Sequence, residues 1–197
     1  DFARSRGVRN FVLASSGGVY GTGANSFSED EDIIAKGQLG FYIGSRLCAE
    51  IISECYAPFL NIVTLRFFFA YGSGQRANML VPRLVESIKQ GKPIQLAGEK
   101  GLSINPVHVS DTVTAVRNAM SMDGTHKFNV AGPEVLSLRD IAETIGEALG
   151  RTPVFEVQDA KGNADLIGDI SRMKASLCEP TVKFSDGIRE YIESLPK

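Results

Sequence analysis

Several residue classes are scarce in this chain of 197 residues, and each scarcity removes a class of function. Basic residues are not in excess: 21 Lys and Arg stand against 23 Asp and Glu, the formal net charge is -2, and no basic block interrupts the sequence. The electrostatic footprint of a nucleic-acid binder or an anionic-membrane binder is therefore missing. No apolar run approaches the roughly 20 residues of a membrane span, and no signal-peptide pattern opens the chain. The 2 histidines and 3 cysteines form no cluster with metal-ligand spacing. Cys48, Cys55 and Cys178 are odd in number and far apart, which reads as the reduced thiols of a cytoplasmic protein. Cys48 and Cys55 lie one above the other on a helical segment and read as core or interface residues. The first residue is Asp1, not Met, as expected of a sequence that starts inside a longer chain or a processed one.

Apolar residues are plentiful. They make up 43% of the chain, enough for a substantial core in one or two domains. Their spacing alternates between two periods. Asn10 to Ser15 (NFVLAS) is a short apolar run that predicts a buried strand. Tyr42 to about Tyr56 has helical spacing, with Leu47, Ile51 and Ile52 apolar and Glu50 and Glu54 polar. Asn61 to Phe69 (NIVTLRFFF) is β-branched and aromatic, a second buried strand. A helix at Met79 to Lys89, a strand at Pro93 to Leu96 and a strand near Ser103 to Val109 follow. A helix capped by Ser110 or Asp111 then runs to about Met122. His126 to Ala131 reads as a strand, and Ser137 opens a helix that Gly150 closes. A strand at Pro153 to Val157 and helices near Ile170 to Leu177 and Ser185 to Ser194 complete the chain. Strands alternating with helices predict an α/β fold with a largely parallel sheet. The least regular stretches are Gly21 to Gly40 and Ala160 to Gly168, and the acidic run Ser28 to Asp32 reads as a solvated loop.

The chemistry is concentrated in the first third. Ser16 follows the strand NFVLAS, and ligands sit at the C-terminal ends of parallel strands. Further along stands Tyr42, with Arg46 one helical turn later. Residues at i and i+4 project from the same side of a helix. A hydroxyl, a phenol and a fixed cation suit proton transfer at a carbon that gains or loses hydride. A free tyrosine titrates at about 10, a neighbouring cation favours phenolate, and a phenolate can act as general base toward a reacting hydroxyl. Ser16 would hold the same oxygen. The plainer alternative is that Tyr42 and Arg46 form a surface cation–π pair. His108, between two valines, reads as a hydrogen-bonded structural residue in a strand, and His126 has no evident partner.

The segments FVLASSGGVYG and FYIGSR resemble the serine segment and the Tyr-x-x-x-Lys segment of the extended short-chain dehydrogenases/reductases, the NAD-dependent epimerase/dehydratase family. The resemblance continues in order through LRFFFAYG, VPRLVESIKQGKPIQLAGEKG, NPVHVSDTVTAV, FNVAGPEVLSLRDIAETIGEALG and GDISRMKASLCEPTV. It implies a truncated Rossmann-like parallel sheet, residues 1–74 and 103–131, that holds NAD or NADP. It also implies a smaller α/β C-terminal substrate domain, residues 75–102 and 132–197. Ser16 and Tyr42 match the family's catalytic pair, with Arg46 in the place of the lysine. Ser15, Tyr42, Arg46 and Phe68 fall where the family meets its cofactor. The implied substrate is a nucleotide-sugar or a related hydroxyl or keto compound, handled through a transient keto intermediate. The family also implies a homodimer through the helix that carries Tyr42.

Four departures accompany the resemblance. Arg46 keeps the charge of the usual lysine but is planar and never deprotonated. Phe69 stands where an asparagine is common, which removes a substrate phosphate contact. Ile104 stands where an arginine is common, which removes a bidentate partner of a diphosphate; Lys161 could compensate. No glycine fingerprint of the dinucleotide-binding kind follows any strand, and Gly17 to Gly23 has the wrong spacing, with no helix expected there. The isolated 197 residues are therefore expected to be inactive and to bind no dinucleotide. The alternative for the parent is a catalytically degenerate member used as a dinucleotide-sensing or scaffold protein.

Overall fold

The computed structural model describes residues 1–23, 25–33, 40–159 and 165–195. Lys161 lies outside the described residues. In chain order the elements are α1 (Phe2–Ser5), β1 (Asn10–Ser16), a 3-10 turn at Gly17–Tyr20, α2 (Gly40–Glu54), β2 (Asn61–Phe67), α3 (Leu80–Lys89), β3 (Ile94–Ala97), β4 (Ser103–Ile104), α4 (Val109–Ala119), β5 (Thr125–Val130), β6 (Leu136–Ser137), α5 (Leu138–Leu149), β7 (Phe155–Gln158), α6 (Ser171–Ser176) and α7 (Phe184–Glu193). The fold is mixed α/β. Its central sheet is parallel in the order β1-β2-β5, with Asn10 opposite Asn61 and Ile62 opposite Thr125.

Strand alternation distributes the sheet's side chains between two layers. Val63, Leu65, Phe128 and Val130 pack with Ala115 and Ala119 of α4 and Met173 of α6. Arg66 on β2 lies in register with Ser15 on β1, and both reach Glu50 of α2. A second core joins α3, α5 and α7 to β3 through Val85, Ile88, Leu96, Ile141, Ile145 and Ile188. There β3 pairs with β7 in parallel, and β4 pairs with β6 antiparallel.

Some elements differ from the sequence expectation for local reasons. Strand β2 ends at Phe67, because Phe69 adopts a left-handed backbone with φ 46°. The strand expected over Ser103 to Val109 shrinks to Ser103–Ile104, and His108 is the N-cap of α4, its ring nitrogen accepting from the Ser110 N–H. His108 is thus a buried structural histidine, but on a helix cap and not in a strand. His126 does find a partner, with its Nε2 2.7 Å from the Asp123 carbonyl oxygen. The acidic run is not uniformly solvated: Glu29 is buried, and its Oε1 accepts from the Asn129 N–H at 2.8 Å. Phe27 stacks on Tyr20 with ring centroids 5.1 Å apart, so this loop is fastened over the end of the sheet. The expected helix from Ser137 to Gly150 is present, with a full capping box between Ser137 and Asp140 and Gly150 closing it at φ 64°.

A buried polar network ties α2 to the sheet. The Arg66 guanidinium donates to both oxygens of Glu50, with Nη2 2.7 Å from Oε2. Side-chain exposures of 1% for Arg66 and 2% for Glu50 put both charges out of water, where pairing is obligatory. Arg66 Nη1 also donates to the Tyr20 hydroxyl at 2.6 Å, and that hydroxyl donates to Asn129 Oδ1 at 2.9 Å. The Ser15 hydroxyl supplies a further donor to Glu50. Burial pushes the Tyr20 phenol up, against the lowering effect of Arg66, which keeps it a proton donor at neutral pH.

Two measurements check these contacts. Arg66→Met should destabilise the protein by about 3–5 kcal/mol in urea unfolding, because it strands the Glu50 carboxylate in the interior. Adding Glu50→Leu should recover much of that loss; a double variant no more stable than Arg66→Met would show the two charges uncoupled. At the α5 cap, Ser137→Ala should cost about 1 kcal/mol. The Ser137 hydrogen bonds hold Asp140 below its ordinary value. The folded-state value is the lower one, so the cap's stabilisation is full above the unfolded aspartate's value of about 3.9 and is lost as pH falls through the native value. Ser137→Ala should therefore flatten the acid limb of the stability profile.

Candidate active site

The C-terminal ends of β1 and β2 open onto a cavity of about 710 Å³. Ser16 closes β1 and turns the chain: its Oγ accepts from the Gly18 N–H at 3.1 Å and caps the 3-10 turn. A short helix therefore does begin in the glycine-rich segment, contrary to expectation, though it is one turn long. Close packing explains its glycines. A Cβ on Gly17 would lie 2.5 Å from the Phe68 ring, and one on Gly18 would lie 2.4 Å from Ile43.

Helix α2 enters over this turn and brings Tyr42, Ile43 and Arg46 to the cavity wall. Tyr42 is 56% exposed. The Arg46 guanidinium carbon sits 5.1 Å from the centre of the Tyr42 ring, and its Nη1 donates to the Ala14 carbonyl at 3.0 Å. The cation–π contact is thus real, and it coexists with placement beside Ser16 on one cavity. Arg46 Nε is buried with no hydrogen-bond partner among the described residues, a spare donor at the wall. Ser15 also borders the cavity, but its hydroxyl is committed to Glu50. Phe68 is buried, its ring held between Gly17 and Gly168, and its N–H donates to the Val130 carbonyl.

All five site residues expected from sequence, Ser15, Ser16, Tyr42, Arg46 and Phe68, therefore border one cavity. Of its far wall, sequence reading singled out only Phe69 and Ile104, as departures from the family pattern. Met79 and Leu80 at the start of α3, Ile141 of α5, Leu166, Ile104 and Phe69 contribute apolar lining, and Gln75 and Thr112 contribute polar side chains. The apolar ones come from five separate segments, and no local spacing connects them. Phe69 also carries a cost that its sequence context did not announce: a bulky residue in the left-handed region is strained by on the order of 1 kcal/mol. Tyr71 and His108 do not border the cavity. They pack edge to face with centroids 5.3 Å apart, and burial pushes the Tyr71 phenol well above its ordinary value.

A nicotinamide cofactor needs a flat apolar wall, hydrogen-bond donors for its ribose and a cradle for its pyrophosphate. The first two requirements fit this cavity, through Phe68 and the spare donor of Arg46. A long helix starting from a glycine-rich strand end, the usual cradle, is not found among the described residues. The described residues likewise hold no group of His, Cys, Asp and Glu that could bind a metal, and no helix long and apolar enough to cross a membrane.

Known proteins share this architecture. The dTDP-4-dehydro-6-deoxyglucose reductase of Escherichia coli is 30% identical over 203 residues, which cover 96% of this chain and 62% of that protein. An uncharacterized UDP-glucose epimerase, YtcB, of Bacillus subtilis is 29% identical, over 98% of this chain and 62% of that protein. Among solved structures, MoeE5 in complex with UDP-glucuronic acid and NAD superposes with a TM-score of 0.83 at 26% identity, covering 98% of this chain and 66% of that one. The UDP-glucuronic acid 4-epimerase of Bacillus cereus, in complex with UDP-glucuronic acid and NAD, gives 0.82 at 25% identity, covering 94% and 60%. The chain thus spans less than two-thirds of the length of these relatives. The family model for the NAD dependent epimerase/dehydratase family matches residues 1–131, and with these likenesses the chain belongs to that family.

Proposed function

We propose that the protein carrying this chain is an NAD- or NADP-dependent epimerase, dehydratase or reductase acting on the hydroxyl or keto carbon of a nucleotide-sugar or a related substrate. The single observation that carries the reading is the convergence of Ser16, Tyr42 and Arg46 on one cavity at the C-terminal end of a parallel sheet. The cofactor, when bound, supplies the acceptor and donor for the hydride. Tyr42 acts at the substrate oxygen, taking the hydroxyl proton as the carbonyl forms and returning it as the carbonyl is reduced. Ser16 holds that oxygen by a hydrogen bond. Arg46 places a permanent positive charge against the Tyr42 ring and keeps Nε for a ribose hydroxyl. Ser15 and Phe68 would meet the cofactor as wall and backbone, since the Ser15 hydroxyl is engaged elsewhere.

The same reading divides the chain into a sheet portion, 1–74 and 103–131, and a substrate portion, 75–102 and 132–197. It makes the protein cytoplasmic and a homodimer through α2, on which Phe41, Ile51 and Ile52 are exposed, Phe41 at 94%. Light scattering of the purified protein tests the dimer. A second reading, a degenerate member serving as a dinucleotide sensor or scaffold, draws on Arg46, which spends one donor on the Ala14 carbonyl where a lysine would be free to serve substrate and cofactor alone.

Turnover and binding separate the two readings. In the full-length protein, Tyr42→Phe should lower kcat by at least about 10²-fold, the ordinary size of a general acid–base contribution. Its Kd for NAD should stay within about threefold, since most cofactor binding comes from phosphates and ribose hydroxyls. Arg46→Lys should remain active and Arg46→Ala should not. A wild type that binds NAD but turns over no hydroxyl or keto substrate would favour the sensor reading. The 197 residues alone should show no enhancement of NADH fluorescence.

A further inference from the structure

Two residues on the cavity lining, Arg46 and Gln75, each carry a buried polar atom with no hydrogen-bond partner among the described residues. The two atoms are of opposite kind: Arg46 Nε is a donor and Gln75 Oε1 an acceptor. Buried polar groups are paired in the great majority of cases, so an orphan beside a cavity calls for an explanation. In the proposed reaction a ribose hydroxyl explains the first, and the second has none yet. Resting on the reading of this cavity as a nucleotide-sugar site, we infer that Gln75 is a specificity-determining residue: its Oε1 accepts a hydrogen bond from a sugar hydroxyl other than the one on which Tyr42 acts.

Which atom of the Gln75 amide is free follows from its neighbour. The amide nitrogen lies 2.8 Å from the Ala70 carbonyl oxygen. A carbonyl oxygen can only accept, so the nitrogen must face Ala70 and the oxygen is left over. Thr112, on the same lining, is constrained in the same way. Its hydroxyl donates to the His108 carbonyl at 3.1 Å, which leaves it only lone pairs to offer. The neutral polar side chains of the far wall are thus acceptors in search of donors. A hydroxyl answers them, whereas a carbonyl, an ether or an ionised phosphate oxygen can only accept. In a nucleotide-sugar the sugar is the part crowded with hydroxyls, so this wall turns the sugar toward itself.

The acceptor is also held still. Gln75 closes the turn that follows β2: its backbone N–H donates to the Gly72 carbonyl at 3.3 Å while its side chain donates to Ala70. The Tyr71 N–H donates to the Val107 carbonyl at 2.9 Å, and the Tyr71 carbonyl accepts from the Val109 N–H at 2.8 Å. These bonds fasten the turn to the start of α4, the helix that carries Thr112. Gly72 makes the close approach possible, since a Cβ there would lie 2.5 Å from the Val109 side chain and its φ is 141°. A fixed acceptor discriminates more sharply than a mobile one, because it cannot turn to another partner when the ligand lacks the donor. Sites built to bond a substrate hydroxyl reject analogues without it for this reason.

The test is calorimetric binding to the full-length protein with NAD bound. The probes are UDP-glucose, dTDP-glucose and the derivatives of each in which fluorine replaces the sugar hydroxyls one at a time; fluorine fills the place of a hydroxyl but cannot donate. In the wild type, fluorine at the position facing Gln75 should weaken binding about fivefold or more, the usual consequence of leaving a buried acceptor unpaired. Gln75→Met, similar in length but with no oxygen, should weaken the parent sugar by a similar factor and become indifferent to fluorine at that position. Gln75→Glu keeps an acceptor and loses the donor to Ala70, so it should retain both the affinity and the fluorine penalty. A residue that only braced the turn would give the opposite pattern: Gln75→Met and Gln75→Glu would weaken binding alike, with every fluorine penalty as in the wild type, and that result would overturn the inference alone. Failure of the wild type to bind either sugar nucleotide would overturn the substrate reading and this inference with it.

Discussion

Everything at the site hangs on the ion pair between Arg66 and Glu50. Glu50 lies two helical turns beyond Tyr42 and one turn beyond Arg46, so all three project from the same side of α2. Anchoring Glu50 against β2 therefore fixes the rotation of the helix about its own axis. The Ser15 hydroxyl adds β1 to the same carboxylate, and the Tyr20 hydroxyl adds the end of the glycine-rich turn to the same guanidinium. Ser16 is the neighbour of Ser15, and the 3-10 turn runs from Ser16 to Tyr20. The two ends of the segment that presents Ser16 and the helix that presents Tyr42 are thus tied to a single buried pair of charges.

An apolar pair of similar volume could be as stable, since desolvation of two ions offsets most of their attraction. What hydrophobic contacts would not supply is direction. Three donors converge on one carboxylate and two residues share one guanidinium, so rotation or sliding of α2 by a fraction of a turn would leave a buried charge without a partner. The network is a positional device first. It reaches farther through Asn129, which accepts from Tyr20 and donates its backbone N–H to Glu29, so the loop through Phe27 and Glu29 is held by the same chain of contacts.

How far this was legible in sequence depended on whether the signal was local. Strands β1, β2 and β5 follow from short apolar runs, and α5 follows from Ser137, Asp140 and Gly150, because period and caps are written in neighbouring residues. The Ser16, Tyr42 and Arg46 trio followed from one strand end and one helical spacing. Glu50 did not, because a glutamate on an amphipathic helix looks like a solvated one; its burial depends on Arg66, 16 residues farther on. A signal was available in Arg66, a charge in the middle of the apolar run NIVTLRFFF, which required an opposite charge somewhere in the interior. Glu29 was hidden in the same way, inside a run of acids whose other members are solvated. His108 was misplaced because a histidine cap between valines imitates strand alternation. Beyond Phe69 and Ile104, the far wall of the cavity was not legible, since it is assembled from segments that meet only in three dimensions.

Arginine at position 46 makes sense once these contacts are considered together. A lysine at this place would bring one ammonium, which could not hold the Ala14 carbonyl and also serve the Tyr42 ring and, in the proposed reaction, a ribose. A guanidinium divides the work: Nη1 holds the β1 carbonyl, the plane lies near the Tyr42 ring, and Nε remains without a partner among the described residues. The departure from the family's lysine therefore need not cost the site its cation. It exchanges a mobile charge for a fixed one, braced against the same strand that carries Ser16. In the proposed reaction a fixed cation could neither follow a substrate nor relay a proton, which would leave proton movement to Tyr42 and solvent.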